Sequence, residues 1–136
     1  MAFHPQTNED GKTFRGLTTG STAFVKGSAV KYTSGYLTAA AAGDASVDYI
    51  SLETKTSTAT DGTDSLLVMR VDPSMTIQAN TSITPVQATH VGNRYDLATG
   101  VATIDLAATT DKIFIIDRIV SATDKIVEGR FMQAIA

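Results

Sequence analysis

The sequence predicts a mostly β protein: a small antiparallel β-barrel or sandwich with an extended N-terminal arm. Three observations predict it. From residue 23 onward, short apolar-alternating runs are cut by turn residues at roughly the 8–12-residue spacing of all-β chains. No segment sustains a helical apolar period over the dozen or so residues that a self-supporting helix needs. The chain has 136 residues, 43% of them hydrophobic and 18% charged, which fits one domain able to bury about two-thirds of its unfolded surface.

Residues 1–22 are read as the arm and residues 23–136 as the β domain. The arm carries no apolar period: NEDGK at 8–12 and GLTTGST at 16–22 are polar or small, and Phe3, Phe14 and Leu17 stand isolated. A frayed terminus has such a composition. A solvated tail, however, has no use for two phenylalanines, whereas an arm that docks on a neighbour does. The docking residues on this reading are Phe3, His4, Phe14, Arg15 and Leu17.

The β domain opens with AVKYT at 29–33, which alternates; Ser34-Gly35 supplies a turn that accepts positive φ, and YLTA at 36–39 resumes the strand. The alanine run behind it therefore belongs to a hairpin, and Ala40 to Ala42, ended by Gly43-Asp44, form one helical turn at most. Ala39, Ala40, Ala41 and Ala42 suit close approach to a neighbouring strand or subunit. The run 47–53, VDYISLE, is a strand with Val47, Tyr49 and Leu52 facing apolar surroundings and a bulge at Ile50, where alternation fails. Residues 55–65 are a polar loop turning at Asp61-Gly62. LLVMRV at 66–71 is nearly continuous in apolar character and is the candidate for a central strand covered on both faces.

Residues 75–80 alternate cleanly, and residues 86–92 fit a short helix or an irregular loop. Residues 94–97 and 101–106 form a second hairpin, and 112–120 pairs with 125–132 across a turn at 121–124. Thr-Asp-Lys-Ile occurs at 110–113 and again at 123–126, which is shared turn chemistry ahead of two strands. Closure of the strands into a barrel or sandwich would protect edges that carry few prolines and scattered charge.

A net charge of −3 without any basic block leaves no electrostatic footprint for nucleic acid. No run approaches the 18 apolar residues of a membrane span, and the polar N-terminus has no signal-peptide form. With no cysteine, disulfides and thiolate chemistry are excluded. His4 and His90 lie far apart without carboxylates at ligand spacing. No serine sits in a nucleophile elbow, and GLTTGS at 16–21 lacks the lysine of a phosphate loop. DGTD at 61–64 alone cannot supply the six or more oxygens of a calcium site. The expectation is a protein that is not an enzyme and uses no cofactor, metal, nucleic acid or membrane.

FVKGSAVKYTSGYLTAAAAGD, residues 24–44, resembles the opening of capsid cement, or decoration, proteins of tailed bacteriophages. The likeness lies in the Lys26-Gly27 turn, the alternating strand at 29–32, the reversal at Gly35, the alanine-rich stretch and Gly43-Asp44. Residues 91–131 are similar to the returning strands of the same small barrel, so the likeness covers 23–132 in rhythm. It implies a structural virion protein on the outer capsid surface, a homotrimer at three-fold or quasi-three-fold axes that clamps adjacent subunits of the phage major capsid protein. Residues 1–22 would be the clamp, although so long a polar lead departs from the family's usual form. Another phage module (tail, fibre or baseplate) or a β-sandwich adhesin shares these physical features; a carbohydrate-binding domain is a further alternative, poorly supplied with aromatic platforms by no Trp and four Tyr.

Overall fold

The computed structural model describes residues 3–5, 13–41, 44, 47–71, 73, 75–98 and 103–132. In chain order the elements are β1 (His4–Pro5), β2 (Thr13–Leu17), β3 (Ala23–Phe24), β4 (Ala29–Thr33), β5 (Tyr36–Ala39), β6 (Tyr49–Ser51), β7 (Lys55–Thr56), β8 (Ser65–Arg70), β9 (Ile77–Thr81), α1 (Gln87–His90), β10 (Arg94–Leu97), β11 (Thr103–Asp105), β12 (Phe114–Ser121) and β13 (Ile126–Phe131). The protein is mostly β, as the sequence predicts, and residues 86–92 contain a single four-residue helix.

Five strands close a ring. β9 pairs with β11, β11 with β10, β10 with β12, β12 with β13, and β13 returns to β9. All of these pairings are antiparallel except β9 with β11. β1 pairs with the first part of β9, His4 opposite Gln78, and β11 pairs with its last part, opposite Asn80 and Thr81. The second sheet runs β2-β8-β6-β4-β5. Its outer strands meet at the parallel bridge Thr18–Leu37, where the Thr19 N–H donates to the Leu37 carbonyl at 2.9 Å, so this sheet also rolls on itself. The ribbon β3–β7 places Phe24 inside that roll.

Strand alternation divides the apolar side chains between two cores. Val30, Leu37, Leu66 and Val68 point into the second roll with Phe24. Ala29, Ala40, Val47 and Ile50 lie on the other side, joining the barrel residues Ile77, Ile104, Phe114, Ile116 and Val127. Both faces of the second sheet are therefore occupied. This corrects the reading of 47–53: Ile50 is a core residue, 1% exposed, and Tyr49 faces the other core. The register there is regular, and the irregularities fall in β12 instead. β8 is the expected central strand, flanked by β2 and β6.

The hairpin at 29–39 has the expected two-residue turn. Ser34 and Gly35 both have positive φ, 52° and 86°, which matches the twist of the flanking strands. The lysines of the repeated Thr-Asp-Lys-Ile share a left-handed backbone, Lys112 at φ 54° two residues before β12 and Lys125 at φ 57° just before β13. Within the barrel, Phe3, Phe131 and Phe114 pack edge to face with centroids 5.0 Å apart at each step. Gly129 makes room for this row, since a Cβ there would meet the Ile115 carbonyl oxygen at 2.0 Å and the Phe114 ring at 2.6 Å.

The reading of 1–22 as an arm beside the domain is also corrected where residues are described. Thr13–Leu17 pairs along its whole length with β8, and Phe3 is 2% exposed in the barrel core. The physical reason is the apolar surface itself. Phe3 and Phe14 find partners within the chain, and β8 would otherwise present an unpaired edge.

Candidate functional site

The nine residues singled out in the sequence do not converge on one surface. Phe3 is in the barrel core and His4 lies on β1. Phe14 points into the second roll, its ring edge to face with Tyr49 at 5.0 Å. Arg15 and Leu17 project from the opposite face of β2. The Arg15 guanidinium donates to Glu53 Oε1 at 2.6 Å and holds that carboxyl below the ordinary range, while Leu17 remains 52% exposed. Ala39 pairs with Val30, and Ala40 is core, with its N–H donating to the Ala29 carbonyl at 3.0 Å. Ala41 is exposed, its N–H donating to Asp44 Oδ2 at 2.5 Å, and Ala42 lies outside the described residues. The expectation that small alanines approach a neighbouring strand therefore holds at Ala39 and Ala40.

Register gathers residues that the sequence leaves scattered. Phe14, Tyr49 and Tyr32 share one face of the second sheet and form a continuous row, Tyr49 to Tyr32 at 5.4 Å and 89°. Tyr32 is 44% exposed. Burial, followed by the neighbouring Tyr32, pushes the Tyr49 phenol above its ordinary value. Beside the row, where the start of β2 approaches the end of β13, lies a cleft of about 690 Å³ lined by Phe14, Tyr49, Arg70, Val71, Phe131 and Met132. The signal for this row is face parity, which needs strand order as well as sequence.

The acidic side chains fix backbone. Asp96, 4% exposed, accepts the N–H groups of Thr110 at 3.1 Å and of Asp111 and Lys112 at 2.8 Å each. Asp61 accepts the Gly20 N–H at 2.7 Å. Asp64 accepts the Thr58 N–H and hydroxyl, and these bonds hold its carboxyl below the ordinary range. Arg118 with Glu128 and Arg130 with Asp117 tie β12 to β13. Among the described residues there is no group of three His, Cys, Asp or Glu side chains able to hold a metal ion, and no helix long and apolar enough to cross a membrane.

His90 is buried, and its Nδ1 accepts the Val86 N–H at 2.8 Å, so that nitrogen acts as an acceptor for the loop before α1. That loop carries Ile83 and Val86, 48% and 50% exposed, which the sequence reading did not single out. The signal was present as two aliphatic residues in a stretch free of charge. Set against protein-family models, curated proteins and solved structures, the chain matches none.

Proposed function

We propose that this protein is a structural component of a tailed-phage virion, a cement protein that binds the outer surface of the capsid as a homotrimer bridging adjacent major-capsid subunits. The observation that carries the reading is where the polar chemistry goes. Among the described residues, ten acidic side chains accept bonds from backbone N–H groups, hydroxyls or cations, which ties together a body of two small β units. A tied framework whose described residues form no convergent reactive site suits a protein that acts by shape. The hairpin on which the resemblance rests, with its reversal at Ser34-Gly35, supports the same reading. A trimer engaging several subunits gains from multivalency, so each contact need contribute only modestly.

The test uses the whole chain, because removing residues 1–22 would strip β2 from the second sheet. Mass in solution is measured first, then cosedimentation with expanded capsids of the same phage lacking this protein, with electron microscopy to place added density. A trimer bound on the shell at three-fold positions is expected. A monomer that stays in the supernatant refutes the proposal.

A second reading, a carbohydrate-binding module, draws on the aromatic row of Phe14, Tyr49 and Tyr32. Glycan-array binding by the full chain, abolished by Tyr32→Ala, would favour it. The edge-to-face rings offer little flat stacking platform, so no binding is expected.

A further inference from the structure

The geometry points to a binding site for a small phosphate monoester in the cleft between the start of β10 and the turn that leads into β12, with Arg94 and Lys112 as its charged residues. The cleft, of about 460 Å³, is lined by Gly92, Asn93, Arg94, Tyr95, Thr109 and Lys112. Its two walls meet because β10 pairs with β12, Arg94 opposite Ile115. The site stands whether or not the protein sits on a capsid.

Unmatched charge carries the assignment. Among the described residues, Arg15, Lys31, Arg118 and Arg130 each pair with an acid, and the Lys55 ammonium donates to the Ser65 carbonyl at 2.8 Å. Arg94 and Lys112 have no such partner there, in a chain whose 14 acids outnumber its 11 cations. Lys26, Arg70 and Lys125 lack one too, but Lys26 and Lys125 line neither cleft, and Arg70 shares its own with Asp48. No acid among the described residues lines the cleft of Arg94 and Lys112. Two cations on one cleft repel each other, and an anion between them removes that cost. Neutral donors complete the set: the Thr109 hydroxyl, and the Asn93 amide, which gives one N–H to the Thr89 carbonyl at 2.7 Å and has a second to offer.

The number of charges selects the ligand. A phosphate monoester carries about −1.5 to −2 at neutral pH and three strong acceptor oxygens, which matches two cations and two neutral donors. A carboxylate carries one charge and leaves one cation unmatched. Arginine meets a phosphate as a planar fork and lysine as a point charge, so the pair is complementary in form as well. The volume lies within the range of about 300–1,000 Å³ that holds small molecules, which leaves room for the body of the ester.

The walls are built in advance. Asp96 is the one buried acid among the described residues, and both of its oxygens hold the N–H groups of residues 110–112. Burying a carboxylate is costly unless it is bonded in this way. Here it fixes the turn that presents Thr109 and Lys112, the latter with left-handed backbone. On the other wall, the Gly92 N–H donates to the Ile116 carbonyl at 2.7 Å and the Tyr95 hydroxyl to the Thr89 carbonyl at 3.4 Å. Donors already held in place lower the ordering cost of binding.

The experiment titrates the full chain at neutral pH and constant ionic strength with inorganic phosphate, glycerol 3-phosphate, acetate and chloride, following backbone amides by NMR. Expected are saturable shifts at residues 92–95 and 109–112 with the two phosphates; tighter binding of glycerol 3-phosphate supports an ester, and equal binding supports recognition of the phosphoryl group itself. The Arg94→Gln, Lys112→Gln double variant should bind at least about tenfold more weakly, with its melting unchanged. Shifts that rise without saturation, as chloride would produce, overturn the site. Acetate that saturates as readily as phosphate overturns the choice of a dianion. A folded variant that binds as well as wild type overturns the assignment to Arg94 and Lys112. Should the double variant fail to fold, the two single variants replace it, with the same reading of each result.

Discussion

Replacing Asp96 should unhook the loop that leads into β12. The carboxylate is 4% exposed and accepts three N–H groups, at 3.1, 2.8 and 2.8 Å. Bonds to a charged acceptor contribute about 1.5–3 kcal/mol each where both partners are buried. Thr110 and Lys112 are exposed, so water can replace part of what is lost, and about 1 kcal/mol per bond is the appropriate figure. Asp96→Ala should therefore cost about 3 kcal/mol. Asp96→Asn keeps one acceptor oxygen but sets an amide against a backbone donor, and should cost about 2 kcal/mol. At about 3–4 °C per kcal/mol for a chain of this length, melting should fall by about 10 °C in the alanine variant. Urea unfolding gives the energy, and hydrogen exchange should show the amides of residues 110–112 losing protection before the rest of the barrel. The backbone bond from Asp96 N–H to the Ala108 carbonyl survives both substitutions and keeps the strand itself in register. An alanine variant within about 0.5 kcal/mol of wild type, with those three amides still protected, would refute the reasoning.

Gly129→Ala should prevent stable folding, since its Cβ would collide with the Ile115 carbonyl oxygen rather than with a movable side-chain tip; soluble yield and urea midpoint report it. Lys125→Gly should stabilise by about 0.5–1 kcal/mol, by relieving the left-handed backbone at φ 57°, and should raise melting by a few degrees. The Tyr49 phenol should ionise above its ordinary value, and Tyr32→Phe should bring it part of the way down, leaving the contribution of burial. Because the folded value is raised, the associated stability is fully present below the ordinary phenol range and is lost as pH rises through the folded value. Phenolate absorbance followed against pH in both proteins checks the shift. In Arg15→Ala, Glu53 should titrate closer to the ordinary carboxylate range, seen by NMR, because the partner that lowers it is gone.

Local signals in the sequence carried far. The hairpin at 29–39 was legible because its turn needs positive φ and Ser34-Gly35 can supply it. Residues 66–71 were legible as a central strand from continuous apolar character, and the repeated Thr-Asp-Lys-Ile marked two strand entries with a left-handed lysine before each. The segment at 13–17 was not legible as a strand. Its inward positions are Phe14 and Gly16, and glycine erases the alternation, while Leu17 faces outward. Gly16 is small because Leu37 occupies the space a Cβ would need, a contact between residues 21 apart in sequence. Ile50 misled for a related reason: with apolar partners on both faces of its sheet, alternation no longer separates inside from outside. The exposure of Ile83 and Val86 was not legible because exposure, unlike hydrophobicity, depends on what the rest of the chain covers.

β9 has a consequence for how the protein comes into being. It receives β1 (His4–Pro5), β11 (Thr103–Asp105) and β13 (Ile126–Phe131), so the barrel has no closed precursor among shorter pieces. Such non-local pairing folds slowly, because the long loops must close before their contacts form. On the ribosome, β9 and β12 would wait with open edges until β13 emerges, and chains that terminate early would display those edges to one another. Pairing of β13 with both β9 and β12 is thus the step that closes the barrel and covers those edges.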